Sequence, residues 1–173
     1  MFRAMTCLAR RDWARVACWA AVSLALHLVW EIAQLPLYVI AASGSAYELA
    51  YAVVHCTLGD VFIAGGAFIL AMFLLGDSAW PAMRPWKGGA IAISFGLVYT
   101  AYSEWFNVYQ VGNWAYADSM PLVFGLGVSP LVQWLVVPAV SLVAWRRLAG
   151  RIQATGLAPG LEQSISIIQR RQP

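Results

Sequence analysis

The chain has 173 residues, of which 61% are hydrophobic and only 11% charged, and its mean hydropathy is +0.68. That composition excludes an ordinary soluble domain and indicates an all-α, polytopic membrane protein, with room for one bundle of spans of about 20 apolar residues each. The net charge of +3 does not require an acidic partner, because all eleven Lys and Arg residues fall in segments assigned to one side of the membrane.

In chain order, Arg3, Arg10, Arg11 and Arg15 precede a first predicted span at 16–40. RRDWARV followed by an apolar run resembles a signal peptide, but the run exceeds the roughly 7–15 residues of an h-region, so a retained span is expected. Within it His27, Glu31 and Gln34 recur at i, i+4 and i+7, with Ser23 and Tyr38 extending one polar helix face. Residues 41–47 contain no Lys or Arg. The second span, 48–75, carries HCTLGD, in which His55 and Asp60 are set about 140° apart while Cys56 and Asp60 share a face.

Arg84 and Lys87 lead into the third span, 88–109, where YTAYSEWFN places Thr100, Glu104 and Asn107 in one stripe. Tyr99, Tyr102, Ser103 and Phe106 lie in the adjacent stripe. Residues 110–125 again lack Lys and Arg, and Pro121, Gly125, Gly127 and Pro130 break the approach to the last span, so this loop is expected to fold back onto the bundle. The fourth span, 126–145, holds Ser129 and Gln133 at i and i+4, and Pro138, where a bend is expected. Arg146, Arg147 and Arg151 follow, and residues 148–173 read as a mobile cytoplasmic tail.

Only helices close their backbone hydrogen bonds within one segment in lipid, so four such runs predict a four-helix transmembrane bundle over residues 1–147. The placement of the basic residues makes both termini cytoplasmic. Trp13, Trp80, Trp86 and Trp145 are expected at the inner interface, and Tyr38, Tyr47, Tyr109, Trp114 and Tyr116 at the outer one.

At about 1.5 Å per residue from the basic ends, Glu31, Asp60 and Glu104 each rise about 24–25 Å and Gln133 about 20 Å; His27 falls near 18 Å and His55 near 30 Å. These groups form a layer in the outer half of the membrane, whereas unrelated polar residues would scatter in depth. Three carboxylates face two histidines, with no Lys or Arg at that depth, so at least one carboxyl is protonated or bound to a cation. Such a layer suits acid–base work on a lipid-soluble substrate, with Glu31 and Glu104 as acid and base, His27, His55 and Asp60 beside them, and Gln34, Tyr99, Tyr102, Asn107, Gln133 and Trp134 as binding residues. Ligation of a divalent metal by His27, Glu31, His55, Asp60 and Glu104 is the alternative, as in a metal- or proton-handling transporter or accessory protein. Polar contacts that only hold the helices together, as in a membrane assembly partner, are the third reading.

Cys7, Cys18 and Cys56 form no paired framework and read as small apolar thiols. No nucleotide loop, haem motif or nucleic-acid patch is present, and the cofactor is left unassigned; the partners expected are membrane lipids and a lipid-soluble small molecule.

HLVWE in the first span and WLVVP, Trp134 to Pro138, in the last resemble the emopamil-binding-protein superfamily, the EXPERA domain, which includes sterol isomerases. That resemblance implies a cavity open to lipid, lined by His27, Glu31 and Trp134, where acidic groups move protons on a ring alkene. The superfamily's second-helix glutamate has only His55 or Asp60 nearby, and its last-helix asparagine falls on Leu131, with Gln133 as substitute. SEWFNV, WAYADSMP and SPLVQWLVVP are similar to a group of small, uncharacterised bacterial four-helix membrane proteins, which implies an inner-membrane setting.

Overall fold

The computed structural model describes residues 10–76, 80–81 and 84–147, with side chains from residue 16 onward; Cys7 and the expected tail at 148–173 lie outside the described residues. The fold is mostly helical. Helix α1 (Arg10–Gln34) ends in a 3₁₀ turn, Leu35–Leu37, where Pro36 cannot donate to a continuing helix. A four-residue helix α2 (Ile40–Ser43) leads to α3 (Ala46–Leu75). Its N-terminus is fixed by a capping box in which the Ser45 hydroxyl accepts from the Glu48 N–H at 3.3 Å while Glu48 accepts from the Ser45 N–H at 2.7 Å.

Pro85 starts α4 (Pro85–Trp105), which widens into a π-helical turn at Phe106–Val111 and stops at Gly112, whose φ of +71° suits a left-handed cap. An antiparallel hairpin of two-residue strands, β1 (Leu122–Val123) and β2 (Leu126–Gly127), precedes helix α5 (Val128–Arg147). Among the described residues three helical segments are long and apolar enough to cross a membrane: Val16–Leu37, Ala46–Leu75 and Val128–Arg147. α4 occupies the remaining expected span, but Tyr99, Thr100, Tyr102, Ser103 and Glu104 dilute its apolar run. α5 stays helical through Pro138, so the proline does not interrupt it.

The four long helices share one packed end, the end that carries Arg84, Lys87, Arg146 and Arg147. Trp19 of α1 packs against Phe68 of α3 and against Trp80, with ring centroids 5.5 Å apart in each case, and its indole donates to the Ala64 carbonyl at 3.2 Å. Ala71, Met72, Leu142 and Trp145 complete this core. Trp80 and Trp145, expected at an aqueous interface, are buried here because the bundle needs large rings to fill the gap between its helices; Trp86 remains exposed.

Close packing of α4 comes from a stripe repeating every four residues: Gly88, Ala92, Gly96, Thr100 and Glu104 are all buried. Small residues let the backbone approach a neighbouring helix. A Cβ at Gly96 would lie 1.9 Å from the Trp134 ring, and one at Gly88 would lie 1.7 Å from Trp80.

The opposite end is looser. α3 buries no residue before Thr57, so its first three turns stand away from the bundle. The segment before α5 folds back, as expected from its Pro and Gly content. Val39 N–H donates to the Ala115 carbonyl at 3.0 Å, Ala117 N–H donates to Leu37 at 2.9 Å, and Tyr38 and Tyr116 pair as an antiparallel bridge.

Candidate functional site

The polar stripe of α1 turns inward. Ser23, His27, Glu31 and Gln34 are each at most 7% exposed, which the i, i+4 spacing requires once one of them faces the bundle axis. Opposite them, Gln133 of α5 is also buried and acts as a hub. Its amide nitrogen lies 2.7 Å from Asp60 Oδ2, 2.8 Å from His27 Nδ1 and 3.0 Å from Glu31 Oε1. A side-chain amide has two protons, not three. The count closes when His27 Nδ1 carries a proton and donates it to Asp60 Oδ2, 3.2 Å away, leaving the amide to serve the two carboxyls. His27 Nε2 is buried, and no described group hydrogen-bonds to it.

The network continues across α1 and α5. Gln34 donates to Glu31 Oε1 at 2.8 Å and to Gln133 Oε1 at 3.4 Å, while its own carbonyl accepts from the Ser129 hydroxyl at 2.8 Å. Trp30 donates to Ser129 at 3.3 Å. On α4, Glu104 is 6% exposed and accepts from the Tyr116 hydroxyl, so the folded-back loop reaches the carboxyl layer. Tyr116 in turn packs on Tyr38, ring centroids 5.7 Å apart.

These groups form the floor and one wall of a cavity of about 640 Å³, within the usual range of about 300–1,000 Å³ for ligand pockets. Glu31, Gln34, Asp60, Glu104 and Gln133 line it, as do Asn107 and Tyr99. Tyr51 and His55 of α3 line it while exposed on the outside of the bundle, as Tyr99 does on α4. The cavity therefore reaches the surface between these residues of α3 and α4.

Three of the expected site residues stand elsewhere. Trp134 does not line the cavity: it stacks on His27, ring centroids 5.3 Å apart, and fills the space left by Gly96. His27 lies behind Asp60 and Gln133 and supports them. Tyr102 points outward, 58% exposed, and stacks on Phe106. His55 lines the cavity apart from the carboxyl network, stacked on Tyr51 at 5.5 Å. Among the described residues no three His, Cys, Asp or Glu side chains converge in a group able to hold a metal ion.

Sequence reasoning did not assign Tyr116, Tyr51, Cys56 or the Trp30–Ser129 pair to the site. Tyr51 and Cys56 follow from facing neighbours of His55 and Asp60 on α3. Tyr116 lies in an irregular loop, where no periodicity points it at Glu104. No protein-family model matches the sequence, and no solved structure matches the fold.

Proposed function

We propose that the chain is a four-span protein of the bacterial inner membrane, both termini cytoplasmic, that takes a lipid or lipid-soluble small molecule from the outer leaflet into the cavity between α3 and α4. The observation that carries this reading is the cavity's position: a polar floor of Glu31, Asp60, Glu104 and Gln133 beneath a seam flanked by outward-exposed Tyr51, His55 and Tyr99. A water-soluble ligand would have no reason to enter between two helix faces that meet hydrocarbon, whereas an amphiphile can leave its tail in lipid and place its head on the floor. α4 completes the four spans in this reading, because its Thr100, Ser103 and Glu104 line the cavity rather than facing the acyl chains.

Isomerase-type proton chemistry on the bound molecule is a second reading, favoured by one arrangement. Glu31 and Glu104 both line the cavity, and Gln133 connects Glu31 to Asp60 and His27. One of these carboxyls gives the bound molecule a proton and the other takes one back, as general acid–base catalysis needs. The resemblance of HLVWE and WLVVP to the sterol isomerases supports the same chemistry.

Native mass spectrometry of the protein released from mild detergent tests the binding claim. An apolar species of defined mass accompanies the wild-type protein, and its occupancy falls at least about tenfold in Glu31→Gln. Empty wild-type protein of normal thermal stability contradicts the proposal.

A further inference from the structure

The hairpin before α5 carries a side chain that neither its backbone nor its neighbours explain. β1 and β2 pair Leu122 with Gly127 and Val123 with Leu126, so Phe124 and Gly125 form the turn between them. Both have positive φ, +51° and +82°, the pattern that favours Asn-Gly in a hairpin. Gly125 adopts it freely, whereas a bulky ring at Phe124 is disfavoured there. Packing does not compensate. Phe124 is fully exposed, and Leu122 and Val123 beside it are 53% and 40% exposed. Residues 119–145 include no Asp, Glu, Lys, Arg or His, so the tip has no charge with which to hold water or a polar partner.

The position of the tip follows from α5. That helix has 20 residues and, at about 1.5 Å each, covers about 30 Å, the thickness of the hydrocarbon core. With Arg146 and Arg147 at one boundary, Val128 stands at the other. The hairpin continues directly from Val128, whose N–H donates to the Pro121 carbonyl at 2.9 Å. At about 3.4 Å per strand residue, the turn lies no more than about 10 Å beyond Val128. The headgroup layer is about 5–7 Å deep on each side, within reach of a phenylalanine ring at that distance. The Tyr109 hydroxyl, from the π-helical end of α4, donates to the Gly125 carbonyl and holds the turn within one side-chain length of that helix end.

Resting on α5 as a membrane span, we propose that Leu122, Val123 and Phe124 form an interfacial anchor that docks on the lipid surface at the cavity end of the bundle. Lipid is the occupant because the tip continues the outward apolar face of α5, where Leu135, Val136, Val140 and Val143 are exposed, up to the headgroup level. An aromatic ring at that level removes its apolar area from water, which offsets the unfavourable φ of Phe124. The anchor also steadies the folded-back segment. A Cβ at Gly127 would lie 3.0 Å from the Tyr116 ring, so β2 packs against the residue whose hydroxyl donates to Glu104.

Site-specific photocrosslinking tests the anchor. p-Benzoylphenylalanine is placed in turn at Phe124, at the exposed Asp118 earlier in the same segment, and at Val140 on the outward face of α5. Each full-length variant is irradiated in phosphatidylcholine vesicles at low protein density, and adducts are identified by peptide mass spectrometry. Lipid adducts at Phe124 are expected to exceed those at Asp118 at least about tenfold and to approach those at Val140. Adducts at Phe124 no more abundant than at Asp118, or crosslinks from Phe124 to a second copy of the chain instead of lipid, overturn the anchor; lipid adducts at Val140 then leave the span standing. Lipid adducts at none of the three positions remove the span and the anchor together. Should the Phe124 variant fail to fold, the same probe at Leu122 decides by the same ratio.

Discussion

Gly96 and Gly66 are both helical glycines, yet they make opposite demands on a side chain. At Gly96 a methyl group would stand 1.9 Å from Trp134, which is itself held against His27, so the ring has no free direction in which to move. At Gly66 a Cβ meets nothing within 4 Å. Gly96→Ala is expected to destabilise the protein by about 1–3 kcal/mol, and Gly66→Ala to be neutral or stabilising by up to about 1 kcal/mol. Thermal unfolding of the two variants in one detergent checks the contrast; equal midpoints would show that Trp134 is not packed into the α4 groove. At this scale the sequence was informative wherever spacing mattered. Ser23, His27, Glu31 and Gln34 share a face by arithmetic, and the structure buries all four. Trp134 was misplaced because a tryptophan beside a polar residue reads equally well as a cavity wall or as packing; only the glycine opposite it, on another helix, distinguishes them.

The long helices lie where their apolar runs placed them, since length and hydropathy are local properties. The clamp between the two connecting segments was less legible. It depends on backbone hydrogen bonds from Val39 N–H to Ala115 and from Ala117 N–H to Leu37, which no side-chain pattern encodes, and on Tyr116 reaching Glu104. Burial first, and then the bond given to Glu104, pushes the Tyr116 phenol above its ordinary value. The folded state therefore favours the protonated phenol. Its contribution to stability is complete below the ordinary phenol pKa of about 10 and is lost as pH rises through that value toward the raised one. Wild-type protein is thus expected to lose stability above about pH 10 more steeply than Tyr116→Phe, measured as unfolding midpoint against pH. Identical slopes would mean that the loop is not held through this phenol.

At the scale of the molecule, the two ends of the bundle do different things. One end is filled by Trp19, Phe68, Trp80, Leu142 and Trp145. The other is joined by the hydrogen bonds of Gln133 and Gln34 and approached by the folded-back loop, and it holds the cavity. Counting residues from the basic ends grouped Glu31, Asp60 and Glu104, and these three line one cavity. The seam was not legible, because it depends on how α3 packs before Thr57, where none of its residues is buried, and packing is not a property of composition.

The central claim is that an amphiphile occupies this cavity from the lipid side, and Gly59 offers the most direct way to test it. Gly59 lines the cavity, and a Cβ there meets nothing within 4 Å, so Gly59→Trp fills the space with little disturbance of the packed end. A photoactivatable fatty-chain probe is crosslinked in membranes to both forms, and the labelled peptides are mapped. Labelling in the wild type should concentrate on residues 51–63 and 99–107, and Gly59→Trp should abolish it there while leaving the other lipid-facing surfaces labelled. Uniform labelling along all exposed helix faces, unchanged by Gly59→Trp, would contradict the account.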